Sequence, residues 1–117
     1  MLNTIKSRAF TVPQATNLGP DTDGASAPIN ISDLTGAFVN IASTGTISAG
    51  TIAVQVSSNG STWKTVGTPV QDGSNVLNGI EALTSDYPLV RVKCTENIAG
   101  GGSVTADVCG RRANVQV

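Results

Sequence analysis

The segment 51–66 constrains the fold of this chain more than any other part of the sequence. Its apolar residues alternate with polar or small ones and are Ile52, Val54 and Val56. A period of two is typical of a strand with one buried face. The next residues, Asn59 and Gly60, favour a type I′ hairpin turn, which requires a positive φ at both central positions. Because the chain then returns through Trp63, the pattern predicts a β-hairpin and an all-β protein.

Short strand patterns recur along the rest of the chain, separated by turn residues about every ten positions. The predicted strands cover residues 8–12, 28–32, 37–42, 51–57, 62–67, 75–82, 89–95 and 103–109. No stretch carries helical periodicity over the length of a helix, with a single turn at 79–83 as an open alternative. The 117 residues therefore predict one domain, an antiparallel β-sandwich or jelly-roll-like barrel of seven or eight short strands.

Three regions are predicted along the chain. Residues 1–27 are expected to form an extended N-terminal arm, residues 28–110 the β-sandwich domain and residues 111–117 a C-terminal tail. The stretch 17–28 is long and polar, and segments of that length without secondary structure are uncommon inside compact domains and often functional. We therefore expect the arm to order against a neighbouring subunit.

Charge and composition exclude several classes of function. The formal net charge is −1 and no basic stripe is present, so we expect no binding to nucleic acid. No apolar run approaches the roughly 20 residues of a membrane span, and the N-terminus lacks the pattern of a signal peptide. We therefore expect no membrane association and synthesis in a cytoplasm. Charged residues make up only 13%, which suits either a part of a larger assembly or a sandwich with long polar loops.

Residue types needed for most catalytic sites are missing. The chain has no histidine, which removes the usual Ser-His and Cys-His pairs and histidine metal sites. Asp21 and Asp23 resemble part of a calcium loop, but its twelve-residue pattern and closing Glu are absent. The glycines at 100–102 precede no Gly-Lys-Ser/Thr sequence, so we expect a flexible hairpin tip. The sequence predicts no catalytic residue, metal or cofactor, and hence no enzyme.

The two cysteines are predicted to be free thiols. If residues 89–95 and 103–109 form a hairpin, Cys94 lies near the loop and Cys109 about 20 Å away along the partner strand. A disulfide requires Cα atoms within about 7 Å of each other. We expect Cys94 to be a small buried apolar residue.

Two aromatic residues leave alternatives open. Trp63 is either a platform for stacking a sugar or a cover for one face of the sandwich, and the second is favoured because aromatic rings bury large areas. Tyr87 precedes Pro88 and is expected to anchor a corner, with contact to a ligand as the alternative.

Four short motifs resemble those of small virion proteins of tailed bacteriophages. They are Val54-Gln-Val-Ser57, Ser58-Asn-Gly-Ser-Thr-Trp63, Val90-Arg-Val92 and the glycine-rich stretch from Gly100 to Val104. The resemblance covers roughly residues 34 to 110. It implies a β-sandwich capsid decoration (cement) protein that bridges subunits of the major capsid protein on the virion surface. A carbohydrate- or receptor-binding module of a tail or head fibre, and a tail adaptor subunit, are the alternatives.

This resemblance gives each candidate residue a role. Decoration proteins bind through area and extended arms, and they often form trimers, so we expect a homo-oligomer made in the bacterial cytoplasm. The residues expected to bind the partner are Phe10, Val12, Leu18, Arg111 and Arg112. For the two arginines, a salt bridge to an acidic neighbour and simple solvation are equally open. Asn59, Gly60 and Trp63 are expected to be structural.

Overall fold

The described part of the chain, residues 4–12, 25–67, 77–83 and 87–112, forms eight β-strands in a computed structural model. The strands are β1 (Thr4–Phe10), β2 (Ile29–Asn30), β3 (Leu34–Thr44), β4 (Ala49–Ser57), β5 (Lys64–Gly67), β6 (Gly79–Ala82), β7 (Leu89–Ala99) and β8 (Ser103–Arg112). They build two antiparallel sheets, the first in the order β1-β8-β3-β6 and the second in the order β2-β7-β4-β5. The predicted all-β antiparallel sandwich is confirmed.

The strand pairing follows one simple rule. β1 pairs with β8, β2 with β7, β3 with β6 and β4 with β5. Such pairs result when a chain is doubled back at the β4–β5 loop into one long hairpin and the hairpin is then rolled. Rolling places β8 beside β3 and β7 beside β4, as observed. Eight strands in two sheets with this connectivity define a jelly roll.

The core lies between the two sheets and is almost entirely aliphatic. Alternate side chains of each long strand point inward because successive residues of a strand face opposite sides. The fully buried aliphatic side chains include Val39, Ile41, Ile47, Ile52, Val54, Leu77, Val90, Val92 and Val108. The predicted buried face of β4, formed by Ile52, Val54 and Val56, is therefore confirmed, and Cys94 is buried as predicted.

The N-terminal region differs from the prediction of an arm over residues 1–27. Residues 4–10 pair with β8 along their whole length and form an edge of the first sheet. Phe10 is only 8% exposed and belongs to the core, and Val12 packs against that core. Phe10 is therefore part of the sandwich itself, and the half-buried Val12 contributes to its packing. Leu18 lies outside the described residues.

An ionic contact beside β1 joins the edges of the two sheets. The Arg8 guanidinium donates to the backbone oxygen of Asn30, at 2.6 Å, and to the Asp33 carboxylate, at 2.5 Å. Arg8 belongs to the first sheet, whereas Asn30 belongs to β2 of the second sheet. The contact therefore links two edges that share no backbone ladder. Both charged side chains are well exposed, so this pair fixes geometry more than it adds stability.

The connection between β7 and β8 is also different from the prediction. Instead of pairing as a hairpin, the two strands lie in different sheets, and residues 100–102 cross from one sheet to the other. The crossing is packed, since Gly102 donates its N–H to the Thr46 oxygen, at 2.9 Å. A Cβ at Gly100, whose φ is +107°, would lie 2.6 Å from the Ser48 nitrogen. Glycine is thus required here by close backbone contact rather than by flexibility.

One further local prediction is wrong. Val56 pairs with Lys64, so residues 58–63 form the β4–β5 loop instead of a two-residue turn. Hydrogen bonds to the side chains of Ser57 and Asn59 lengthen this loop. The strand predicted over residues 75–82 is observed as β6 at 79–82, where it pairs with β3, and the alternative of a helical turn is not adopted.

Replacing Phe10 with Ala tests whether β1 is part of the folded body. We expect the free energy of unfolding to fall by about 3 kcal/mol, because a buried ring is removed from the core. Ile80→Ala is the matched control, since Ile80 is 72% exposed and its loss should change stability by less than about 0.5 kcal/mol. Urea unfolding monitored by circular dichroism measures both. Equally small effects would contradict the placement of β1.

Candidate functional site

Two side chains shape the β4–β5 loop. The Ser57 hydroxyl accepts hydrogen bonds from the N–H groups of Asn59, at 3.2 Å, and Gly60, at 2.8 Å. The Asn59 side-chain oxygen accepts from the N–H groups of Ser61, at 2.8 Å, and Thr62, at 2.9 Å. Ser57 and Asn59 thereby replace the backbone ladder that a tighter turn would provide. This network holds the loop in a defined shape.

The loop places Trp63 on the outer face of the second sheet, the face opposite the core. The Arg91 guanidinium carbon lies 4.2 Å from the centroid of the Trp63 ring, which is a cation–π contact. Arg91 is only 6% exposed and donates from Nε to the Gln55 side-chain oxygen, at 2.8 Å. Gln55 in turn donates to the Thr65 hydroxyl, at 3.2 Å. Trp63 thus covers the outside of the sheet and is not part of the inter-sheet core.

Residues 25–28 form a wall that lies opposite Trp63. Ser26 donates its N–H to the Val92 oxygen, at 2.8 Å, and accepts the Val92 N–H on its hydroxyl, at 3.0 Å. Ala25 forms a β-bridge with Lys93. Between this wall and the β4–β5 loop lies an open cleft of about 510 Å³, here called the Trp63 cleft. Its lining is Ala25, Ser26, Ala27, Pro28, Gly60, Ser61, Trp63 and Arg91.

The outer face of the first sheet is a different kind of surface. Its side chains are those that the strand register places opposite the core, namely Ser7, Ala9, Thr35, Phe38, Asn40, Ala42, Thr44, Ile80, Ala82, Ser103, Thr105, Asp107, Cys109 and Arg111. Among these described residues only Asp107 and Arg111 are charged. Ile80, which is 72% exposed, is the one large hydrophobic side chain that stands out from the described surface. This face is broad, carries mainly small side chains and is nearly uncharged.

Of the residues predicted to bind a partner, Phe10, Val12 and Arg111 have described side chains, and these three do not form one surface. Arg111 is exposed on the outer face of the first sheet, where its neighbours include Thr35 and Phe38. The side chain of Arg112 lies outside the described part of the structure, although its backbone belongs to β8. Phe10 and Val12 contribute to packing, as described above. Asn59 and Gly60 have the structural role that the sequence predicts, within a longer loop.

Sequence analysis did not identify Arg91 or the wall formed by residues 25–28. The sequence signal for Arg91 is its position between two buried valines, because alternation then places its cation on the outer side of the strand. That strand, β7, proves to be central in the second sheet. Nothing local shows that β7 lies beside β4, which is what brings Arg91 next to Gln55 and close to Trp63. The wall likewise depends on a long-range pairing.

The described residues contain no cluster of three or more His, Cys, Asp or Glu side chains suited to a metal ion. Burial raises the pKa of the Cys94 thiol, which donates to the Glu96 backbone oxygen, at 3.1 Å. A protonated, buried thiol is a poor nucleophile. No helix in the described ranges is long and apolar enough to cross a membrane.

Comparison with known proteins does not assign a family. No protein-family model, curated protein or solved structure gives a significant match to the chain. The resemblance to phage virion proteins therefore stays a prediction based on its short motifs. The fold and the two outer faces have to support the functional argument.

Asn59→Ala tests the hydrogen-bonded loop. We expect the free energy of unfolding to fall by about 1 kcal/mol, because two backbone N–H groups lose their acceptor. Trp63 should become more exposed, and its fluorescence emission should shift to the red. Ser58→Ala, at an exposed position of the same loop, is the control and should change neither quantity. Unchanged stability and emission for Asn59→Ala would show that the network does not hold the loop.

The two thiols should differ in reactivity. Iodoacetamide at pH 8 should modify Cys109, which is half-buried, and spare Cys94, which is fully buried and protonated. Peptide mass spectrometry measures both sites, with denatured protein as the control. Above the ordinary pKa of 9.0 the Cys94 thiol ionises first in the unfolded chain, so folding stability should fall as the pH rises further. Equal labelling of the native thiols would contradict the burial of Cys94.

Proposed function

We propose that this chain is a non-enzymatic structural protein of a bacteriophage virion, a capsid decoration protein that binds the major capsid protein. The observation that carries the proposal is the jelly-roll pairing of strands, an architecture that viral capsid domains use. Lectin and cupin domains share this architecture, and a fold alone does not specify a function. The phage-like motifs favour the virion among these classes.

The surface proposed to contact the capsid is the outer face of the first sheet. Its low charge supports this role, because charged side chains are depleted at the centre of protein interfaces. Ile80 and Phe38 provide apolar area on a face made mainly of small residues. Binding through such a face depends on contact area, which is what a protein that bridges capsid subunits requires.

Oligomerisation is part of the proposal. We propose a homotrimer, made in the bacterial cytoplasm and assembled on the capsid exterior. The strands β1 and β6 end the first sheet, and their outer edges pair with no strand among the described residues. Sheet edges of this kind present backbone groups to which another chain can add. They support self-association without fixing the number of copies.

Ile80→Lys tests the proposed capsid contact. We expect binding to empty shells, assembled from the major capsid protein of the same phage, to weaken about tenfold or more, because a charge enters an apolar interface. Thr62→Lys makes the same charge change on the exposed β4–β5 loop, away from this face, and should bind normally. Co-sedimentation with the shells measures both variants. Equal binding by the two variants would contradict the assignment of this face.

Copy number separates decoration from a role in the tail. A decoration protein is present in proportion to the capsid subunits, whereas a tail adaptor has only the few copies of one closed ring. Quantitative mass spectrometry of purified virions measures this ratio against the major capsid protein. A ratio that matches a single ring would overturn the decoration proposal in favour of the adaptor.

A further inference from the structure

We propose that two copies of this chain associate in solution, with the outer faces of their first sheets packed against each other. In this arrangement Arg111 of each copy meets Asp107 of the other copy. The association belongs to the free protein and does not depend on the capsid role proposed above. The few charged and bulky side chains of this face have the positions that such a contact requires.

The two described charges of this face lie on the same strand. Asp107 and Arg111 are four residues apart on β8, which places their Cα atoms about 13 Å from each other, too far for a close ion pair within one chain. Arg111 is exposed and Asp107 is half-buried, and neither side chain has a hydrogen-bonding or ionic partner among the described residues. A second molecule that supplies the opposite charges at the same spacing therefore complements this face.

A second copy of the chain supplies this pattern around a two-fold axis that runs across the strands at Cys109. Such an axis sets the two β8 strands antiparallel and places position 107 of one copy opposite position 111 of the other. Phe38 pairs with Cys109 in the sheet, so the same axis brings the two Phe38 rings together. Because contacts around a two-fold axis are made twice, two ion pairs flank a central apolar contact.

The exposed Ile80 also meets a complementary feature. A groove of about 260 Å³ lies on this face, at the register shift of β3. Its lining is Thr35, Gly36, Phe38, Gly110 and Arg111. Ile80 lies level with Asp107, because both residues pair with Asn40. The two-fold rotation therefore brings Ile80 level with Arg111 of the second copy, about 4.8 Å from the line of β3 at the side of this groove.

The area of the contact predicts a weak and reversible dimer. Around the axis the two faces overlap for about seven residues of strand, or about 23 Å, and four strands are about 19 Å wide. The overlap is thus roughly 440 Å² per copy, in the range of weak and transient complexes. Since this is also the face proposed to bind the capsid, one copy makes only one of the two contacts at a time. The dimer covers Phe38 and Ile80 in the free protein, and it leaves open the sheet edges proposed for the trimer.

Sedimentation velocity of the full chain over a range of concentrations tests the dimer. We expect the parent chain to convert reversibly from monomer to dimer as its concentration rises. Arg111→Asp and Asp107→Arg should each weaken the dimer about tenfold or more, because each sets like charges opposite each other at both ion pairs. Lys64→Asp makes the same charge change as Arg111→Asp on the second sheet, so this control should dimerise as the parent chain does.

Mixing the two weakened variants tests the pairing of positions 107 and 111 directly. In a heterodimer of Arg111→Asp with Asp107→Arg, every position 111 again faces an opposite charge at position 107. The mixture should therefore dimerise about as tightly as the parent chain, although neither variant does so alone. A contact made elsewhere on the chain gives no such recovery.

Alkylation of Cys109 locates the contact, since this thiol lies at the proposed axis. Its rate of reaction with iodoacetamide should fall as the parent chain dimerises, and in Arg111→Asp it should be nearly independent of concentration. The proposal is overturned by any of four results: the parent chain stays monomeric, both charge reversals leave its association unchanged, mixing the variants restores nothing, or the reactivity of Cys109 in the parent chain does not change with concentration.

Discussion

The layer of aliphatic side chains between the two sheets is the constraint on which the rest of this structure depends. Only β4 and β5 pair as neighbours in sequence among the described strands, so almost every other contact of a strand is made across the fold. The rolled hairpin can bury its apolar residues only if each long strand keeps one consistent inward face. The alternation in β4, β7 and β8 meets this requirement, and the outward positions are thereby free to differ between the two sheets.

Those outward positions give the molecule two dissimilar faces. The first sheet presents small and uncharged side chains, whereas the second presents a cation–π pair and a cleft with fixed walls. A broad uncharged face suits contact with another protein, and a cleft suits a small ligand.

The sequence predicts the strands better than their partners, for a physical reason. Period-two alternation is local, so Ile52, Val54 and Val56 could be placed in the core from sequence alone. Pairing is not local: a glycine-rich stretch is equally compatible with a hairpin and with a connection between sheets. The turn at Asn59 was predicted too short because the hydroxyl of Ser57 shapes a longer loop. Arg91 and Trp63 meet only because β7 lies beside β4, which no local pattern encodes.

The pairing of β1 with β8 has a consequence for the order of folding. Thr4 lies opposite Arg112, so the first sheet closes only when strands that are far apart in the sequence meet. The β4–β5 hairpin can form early because its strands are neighbours in the sequence, whereas β1 has no partner until β8 is in place. Contacts of such long sequence separation form slowly, and until they form β1 is an unpaired strand of the kind that aggregates.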